Sequence, residues 1–312
     1  MRGNNKIART LPRKVFPILA PCALSMLPRH QGRDDRRETN TLRRQTDKTK
    51  MNTYFIVVDS NPETGARMKY YSRAADVEYW SELWTKVAPH QPYHRELRGH
   101  LPHQLRATFS KWVKPGARIL EAGCGLAHFT VAAHALGYRS EGLDWSEKTI
   151  RRLSELFPHI PWYVGDVRKL EFDDGVFDAV YSPGVCEHFE EGPARILAET
   201  RRVLRPRGIA VVSTPCFNRW LQDRATRFTV RDEPIGEFYQ YAFTPNGMSR
   251  LLEHLGFELL QVRPYASLAT MVDFAGWKVP RPAAKALAVA MDYMPVSRDW
   301  GSCCIWVARR AA

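Results

Sequence analysis

Apolar positions along residues 117–262 keep switching period. Short runs at spacing two alternate with longer stretches at helical spacing. The strand-like runs are Arg118–Ala122, Ser140–Asp144, Trp162–Val164, Phe177–Tyr181, Ile209–Ser213 and Phe257–Val262, with Ser302–Val307 near the end of the chain. Between them lie helical patterns. Ala127–Leu136 is built of small residues and ends at Gly137. Ile150, Leu153, Leu156 and Phe157 share one helix face behind Ser146, which suits an N-cap. Ile196, Leu197, Thr200, Val203 and Leu204 make another face, and Thr244-Pro245 starts a helix that Gly256 stops. Upstream, Tyr54–Val58 and Arg67–Tyr71 flank the turn signal Asn61-Pro62-Glu63-Thr64-Gly65, and two helices are expected over Arg73–Val87 and Glu96–Trp112. Strand–helix alternation with short connections predicts an α/β fold, a parallel sheet with helices on both faces.

Composition narrows this picture. No apolar run is long enough to cross a bilayer; Val15–Leu27 is 13 residues and holds Pro17 and Pro21. The chain of 312 residues carries a formal charge of +13. Residues 1–50 contain 13 Lys and Arg against 4 acids, leaving 33 against 29 for the other 262. The folded part is close to balanced, which disfavours nucleic acid as a partner. Residues 1–50 read as a disordered basic extension. A targeting segment, a nucleic-acid arm and a reading frame that truly starts at Met51 compete for it, and the last fits best. Cys22, Cys124, Cys186, Cys216, Cys303 and Cys304 form no C-x-x-C pair. They are expected to be reduced, in a cytoplasmic protein with no structural metal.

In such sheets a ligand binds outside the carboxyl ends of the strands, so the residues after each strand matter. After the first comes Glu121-Ala122-Gly123-Cys124-Gly125, where two glycines allow a tight turn and close backbone approach. The third fingerprint position for a dinucleotide is His128, not glycine, which counts against a nicotinamide cofactor. Asp144 ends the second, placed to accept from ribose hydroxyls, with Trp145 beside it to pack on adenine. Gly165-Asp166-Val167 follows the third, offering an acceptor for an exocyclic amine and a backbone N–H. Ser182-Pro183-Gly184-Val185-Cys186-Glu187-His188-Phe189 follows the fourth. Small or acidic residues at four strand ends, and no lysine for phosphate, suit an adenosine ligand with a cationic tail. Each position also has a plain structural use, as a turn, a cap or a packing residue.

Taken in order, Ile119–Leu126, Gly142–Ser146, Gly165–Val167, Phe177–Phe189 and Val203–Pro215 resemble the class I S-adenosylmethionine-dependent methyltransferases. The nearest likeness is to the small-molecule branch typified by ubiquinone and menaquinone biosynthesis enzymes, and Phe238–Pro245 resembles the later part of that group. Ala127 departs from it, standing where many members carry glycine. The resemblance implies a Rossmann-like, doubly wound, mostly parallel seven-stranded sheet. It implies S-adenosyl-L-methionine as cofactor, with Glu121, Gly123, Gly125 and Ser182 near its methionine part, Asp144 and Trp145 at the ribose and adenine, and Asp166 and Val167 at the adenine edge. His188 would border a small-molecule acceptor and take its proton, the competing role being a brace for its own loop.

The expected organisation is a basic extension at 1–50, a cover segment at 51–115 and a cofactor-binding domain at 116–312. Insertions at about 216–243 and 265–300, rich in aromatic residues, are expected to form a lid outside the sheet, with the charged stretch Gln222–Arg231 as its mobile part. Methylation of RNA or protein, and a non-catalytic binding module, are the competing functions.

Overall fold

The computed structural model describes residues 55–88, 92–224, 236–273 and 281–312. The 1–50 extension and most of Gln222–Arg231 lie outside the described residues.

Ten strands are described. β1 is Phe55–Asn61, β2 Gly65–Ser72, β3 Arg118–Ala122, β4 Arg139–Asp144, β5 Trp162–Val164, β6 Phe177–Pro183, β7 Leu204–Pro215, β8 Glu237–Phe243, β9 Phe257–Tyr265 and β10 Cys303–Arg310. The helices are α1 Val77–Val87, α2 His103–Trp112, α3 His128–Ala135, α4 Glu147–Leu156, α5 Ala194–Val203, α6 Arg219–Gln222, α7 Pro245–His254, α8 Ser267–Asp273, α9 Arg281–Tyr293 and α10 Ser297–Trp300.

Seven strands form the main sheet in the order β5-β4-β3-β6-β7-β10-β9. β5 through β7 run parallel, and β10 is antiparallel to both β7 and β9. The chain winds outward from β3 to β4 and β5, then returns to lay β6 on β3's other side. That reversal opens a crevice at the carboxyl ends of β3 and β6.

Alternation along the central strands sorts the core into two layers. Ile119, Ala179, Tyr181, Ile209, Val211, Ile305 and Val307 pack on one face with Leu105 and Phe109 of α2 and Phe129 of α3. Leu120, Ala122, Val180, Ala210, Val212 and Trp306 pack on the other with Ile196 and Leu197 of α5 and Met248 and Leu251 of α7. A sheet covered on both faces needs apolar residues at successive positions, which these strands supply.

Three differences from the sequence reading stand out. The helix expected over Glu96–Trp112 is a single 3-10 turn, Glu96–Arg98, followed by α2. Gly99 takes a left-handed φ of 71° and Pro102 follows at the N-cap, so the chain turns there instead of continuing. The strand expected over Ile209–Ser213 begins earlier, at Leu204, and takes in Pro206-Arg207-Gly208. The insertion at 216–243 is also not wholly outside a sheet. Its end is β8, antiparallel to β2 in a second sheet ordered β1-β2-β8. Phe238, Tyr239, Tyr241 and Phe243 are buried there rather than held out over a pocket. An isolated β1–β2 hairpin would be marginal in water, and β8 supplies the third strand and apolar face it lacks.

Candidate active site

The crevice between β3 and β6 deepens into a cavity walled by both the sheet and the segment before it. Gly123, Gly125, Asp144, Trp145, Gly165 and Val167 come from the strand ends. Pro183 ends β6 and Gly184, Val185 and His188 follow it, while Trp80, Trp84, Glu96 and Leu105 reach in from the segment ahead of β3.

The loop after β3 owes its shape to backbone that side chains rarely adopt. Gly123 has φ 81° and Gly125 φ 50°. A Cβ on Gly123 would meet Val185 Cγ2 at 2.4 Å, and one on Gly125 would meet the Trp84 ring at 2.9 Å. Both glycines are therefore required by conformation and by close approach of a neighbour. Ala127 adopts φ 57° at the N-cap of α3, which explains why glycine suits this place elsewhere.

Asp144 ties this loop to the next strand end. Its Oδ2 accepts from the Gly125 N–H at 2.9 Å, and its Oδ1 from the Ser146 N–H at 3.0 Å. Ser146 in turn caps α4 by accepting from the Thr149 N–H. Burial pushes the Asp144 carboxyl up, against those two amide bonds. Glu121 is buried beneath the loop, and its Oε2 accepts from both the N–H and the hydroxyl of Thr130, at 3.0 and 2.5 Å. Burial lifts it to about 8, opposed by the Thr130 bonds.

His188 sits in the 3-10 turn Cys186–His188. Its Nδ1 lies 2.9 Å from the backbone oxygen of Tyr239 on β8. A carbonyl can only accept, so Nδ1 carries the proton and the neutral ring keeps its lone pair on Nε2. Trp80 and Tyr239 meet the imidazole edge-on, at centroid distances of 4.9 and 5.3 Å. Burial depresses its pKa to about 4, partly offset by the Tyr239 bond.

The cavity gathers Glu121, Gly123, Gly125, Asp144, Trp145, Val167 and His188. It does not include the side chains of Asp166 or Ser182 in its wall. Asp166 is 38% exposed, and Arg168 grips its carboxylate with Nη2 at 2.7 Å from Oδ2 and Nε at 3.1 and 3.0 Å from the two oxygens. Burial works against the charge on Asp166, but Arg168 outweighs it and holds the carboxyl below its usual range. The Ser182 hydroxyl is buried in β6 with no hydrogen-bond partner.

Trp80, Trp84 and Glu96 are the residues that the motif reading passed over. The tryptophans are spaced i, i+4 on α1, stack at 5.5 Å and are buried, so their helical spacing reads as core. They are both core and cavity wall. No lysine or arginine lines the cavity among the described residues. Nor do the described residues hold a His, Cys, Asp and Glu group able to bind a metal ion, or a helix long and apolar enough to cross a membrane.

Comparison with known proteins agrees with this architecture. A family profile described as a methyltransferase domain matches residues 120–212. A Mycolicibacterium smegmatis protein named "Probable S-adenosylmethionine-dependent methyltransferase" is 32% identical over 144 residues, 46% of this chain and 53% of its own length. The 2-methyl-6-phytyl-1,4-hydroquinone methyltransferase of a Synechocystis species is 33% identical over 127 residues, 39% of this chain and 38% of its own. The chain thus spans about half or less of the length of these relatives. In fold, the crystal structure of the cyclase SpnF superposes with a TM-score of 0.50 at 18% identity, covering 78% of this chain and 98% of that one. Residues 120–212 thus match a methyltransferase domain, and the strand order and the glycine loop after β3 agree with that match.

Proposed function

We propose that this protein transfers a methyl group from S-adenosylmethionine to a small-molecule acceptor. The observation that carries the reading is the make-up of the cavity wall. Three buried carboxyl groups, Glu96, Glu121 and Asp144, of which Glu96 is held in its charged form, surround a glycine cradle, with no lysine or arginine among the described lining residues. Such a wall suits a ligand rich in hydrogen-bond donors and positive in charge, and it does not suit a pyrophosphate. The indoles of Trp80, Trp84 and Trp145 line the same space and favour a planar, mostly apolar partner. The relative named for a phytyl hydroquinone substrate supports an acceptor of that general kind.

The cofactor supplies an electrophilic methyl on a sulfonium, and the protein supplies position and dryness. Asp144 has lone pairs left beyond its two amide bonds and would accept from the ribose hydroxyls. Glu121, Gly123, Gly125 and the backbone at Ser182 surround the methionine part. Trp145 would pack on the adenine and the Val167 N–H would face a ring nitrogen, whereas the Asp166 carboxylate, held by Arg168 outside the cavity wall, would have to turn inward to reach the exocyclic amine. His188 Nε2 accepts a proton from the acceptor as the new bond forms, held in that tautomer by Tyr239. Trp80, Trp84, Glu96 and Leu105, from the segment ahead of β3, close the site over this chemistry and exclude water. A cytoplasmic setting, the location this reading assigns, would keep its buried cysteines reduced.

Calorimetry with S-adenosylhomocysteine tests the cofactor. A screen of labelled methyl transfer to phenols, hydroquinones and amines then tests the acceptor. Micromolar binding and transfer to a small molecule are expected. Binding of a nicotinamide dinucleotide in place of S-adenosylhomocysteine would overturn the reading, and transfer only to RNA or protein would overturn its acceptor.

A further inference from the structure

The cavity wall holds a polar pair that the reaction described above does not use. Glu96, in the 3-10 turn before α2, is 4% exposed and lines the cavity. Its Oε2 is buried with no hydrogen-bond partner. His128, the first residue of α3, lines the cavity beside it, and both of its ring nitrogens are buried without a hydrogen-bond partner. Glu96 Oε1 and His128 Nδ1 lie 3.4 Å apart, within ion-pair distance. The Tyr93 hydroxyl donates its one proton to the Leu126 carbonyl at 2.7 Å, so it has none for Glu96. Its ring stacks on His128 at 4.9 Å and fixes the imidazole's plane.

Leaving a buried carboxylate oxygen without a donor is costly, and in native proteins such groups are usually satisfied. Burial opposes the Glu96 charge, yet His128 and Glu96's own backbone N–H outweigh it and hold the carboxyl below its usual range. The group is therefore an anion that needs a donor, and a cationic donor suits it best. α3 starts at His128, three residues downstream of Gly125, and its N-cap Ala127 offers no side-chain cap. Glu121 takes the Thr130 N–H, and the remaining N–H groups of that first turn carry partial positive charge. An orphan anion beside the remaining N–H groups of a helix start matches a zwitterion, with its ammonium on the acid and its carboxylate toward the helix.

We infer that Glu96 binds the α-ammonium of the cofactor's amino-acid end and makes the site demand that group. This rests on the cofactor reading above. It assigns a binding determinant to the segment ahead of the family-matched residues 120–212. Glu96 is thus the contact through which residues 92–105 sense a bound cofactor.

Calorimetry with two probes tests it. S-adenosylhomocysteine carries the amino-acid end, and 5′-methylthioadenosine lacks it. Glu96→Gln is expected to weaken S-adenosylhomocysteine by about 10- to 100-fold, the loss of one charge-assisted bond. Affinity for methylthioadenosine should stay within about twofold, and the ligand-free melting temperature should hold or rise because a buried charge is gone. Glu96→Asp, which keeps the charge one methylene further back, should lie between the two. An equal loss for both probes would make Glu96 structural and overturn the inference. Unchanged binding of both would overturn it too, leaving the carboxylate to the acceptor. If the unaltered protein binds neither probe, the cofactor reading itself fails and this inference with it.

Discussion

The imidazole of His188, which follows β6 of the main sheet, donates through Nδ1 to the backbone oxygen of Tyr239, on β8 of the small sheet, at 2.9 Å. This one bond fixes the tautomer at the centre of the cavity and hangs it on a strand more than fifty residues away. His188→Gln should therefore leave S-adenosylhomocysteine affinity intact while lowering turnover. For an acceptor that must lose a proton, the drop is expected at about 10²–10⁴-fold. Normal turnover per folded molecule, paired with a lower melting temperature, would show that the histidine only joins the two sheets.

The depressed pKa of His188 has a definite sign. At about 4 it lies below the ordinary 6.5, so between those values the unfolded chain binds the proton and the native state does not. Stability is then present above 6.5 and declines as pH falls toward 4. The activity limb assigned to this residue should sit near 4 rather than near 6.5. A kcat/KM profile with an acid limb at 6.5 that vanishes in His188→Gln would contradict the buried, neutral imidazole.

Glu121 runs the opposite way. Its folded pKa of about 8 exceeds the ordinary 4.5, so the native state holds a proton that the unfolded chain releases. That contribution is full below 4.5 and lost as pH rises through 8. Glu121→Gln keeps an oxygen to accept from Thr130 and cannot ionise. In the ligand-free protein the variant should melt higher than the parent at pH 8, with the gap shrinking toward pH 5. A gap independent of pH would mean that Glu121 does not titrate in this window.

Asp144 does two jobs, and the measurement must separate them. Asp144→Ala strips the acceptor from the Gly125 and Ser146 N–H groups, so the ligand-free protein should lose stability by about 1–3 kcal/mol for each amide left unpaired in the buried site. Asp144→Asn keeps one oxygen and should cost less. Both should weaken S-adenosylhomocysteine by roughly 1.5–3 kcal/mol beyond any stability effect, through the lost bonds to the ribose. Full affinity in a folded Asp144→Asn protein would restrict the residue to bracing the loop.

Trp84 and Gly125 should be coupled. Gly125→Ala drives a methyl into the Trp84 ring at φ 50°, and Trp84→Ala leaves a cavity worth about 3–5 kcal/mol. In the double variant the new methyl meets no ring. Its loss of stability should fall short of the sum of the singles by about 0.5–3 kcal/mol. Strict additivity in chemical denaturation would place the ring away from the loop.

The sequence by itself determined the local features of this protein. Ser146 and Thr244 cap their helices through neighbours three residues on, and alternation along Ile119–Ala122 sorts side chains between two faces. Caps and turns depend on contacts a few residues apart, and strand period depends only on which face is covered. The strand ends that border the crevice were legible for the same reason, because strand–helix alternation and short connections dictate where they point. Partner choice was not. The aromatic run in Glu237–Phe243 says that this segment is buried, but not that β2, over 160 residues earlier, is the neighbour. The same holds for Trp84 on Gly125, Tyr239 on His188 and Glu96 beside His128, each joined across separate elements. Nor could spacing tell that Arg168 turns the Asp166 carboxylate away from the cavity wall while Asp144 stays in it. Such contacts are chosen by packing, in which every element competes for the same buried surface, so only the folded arrangement decides them.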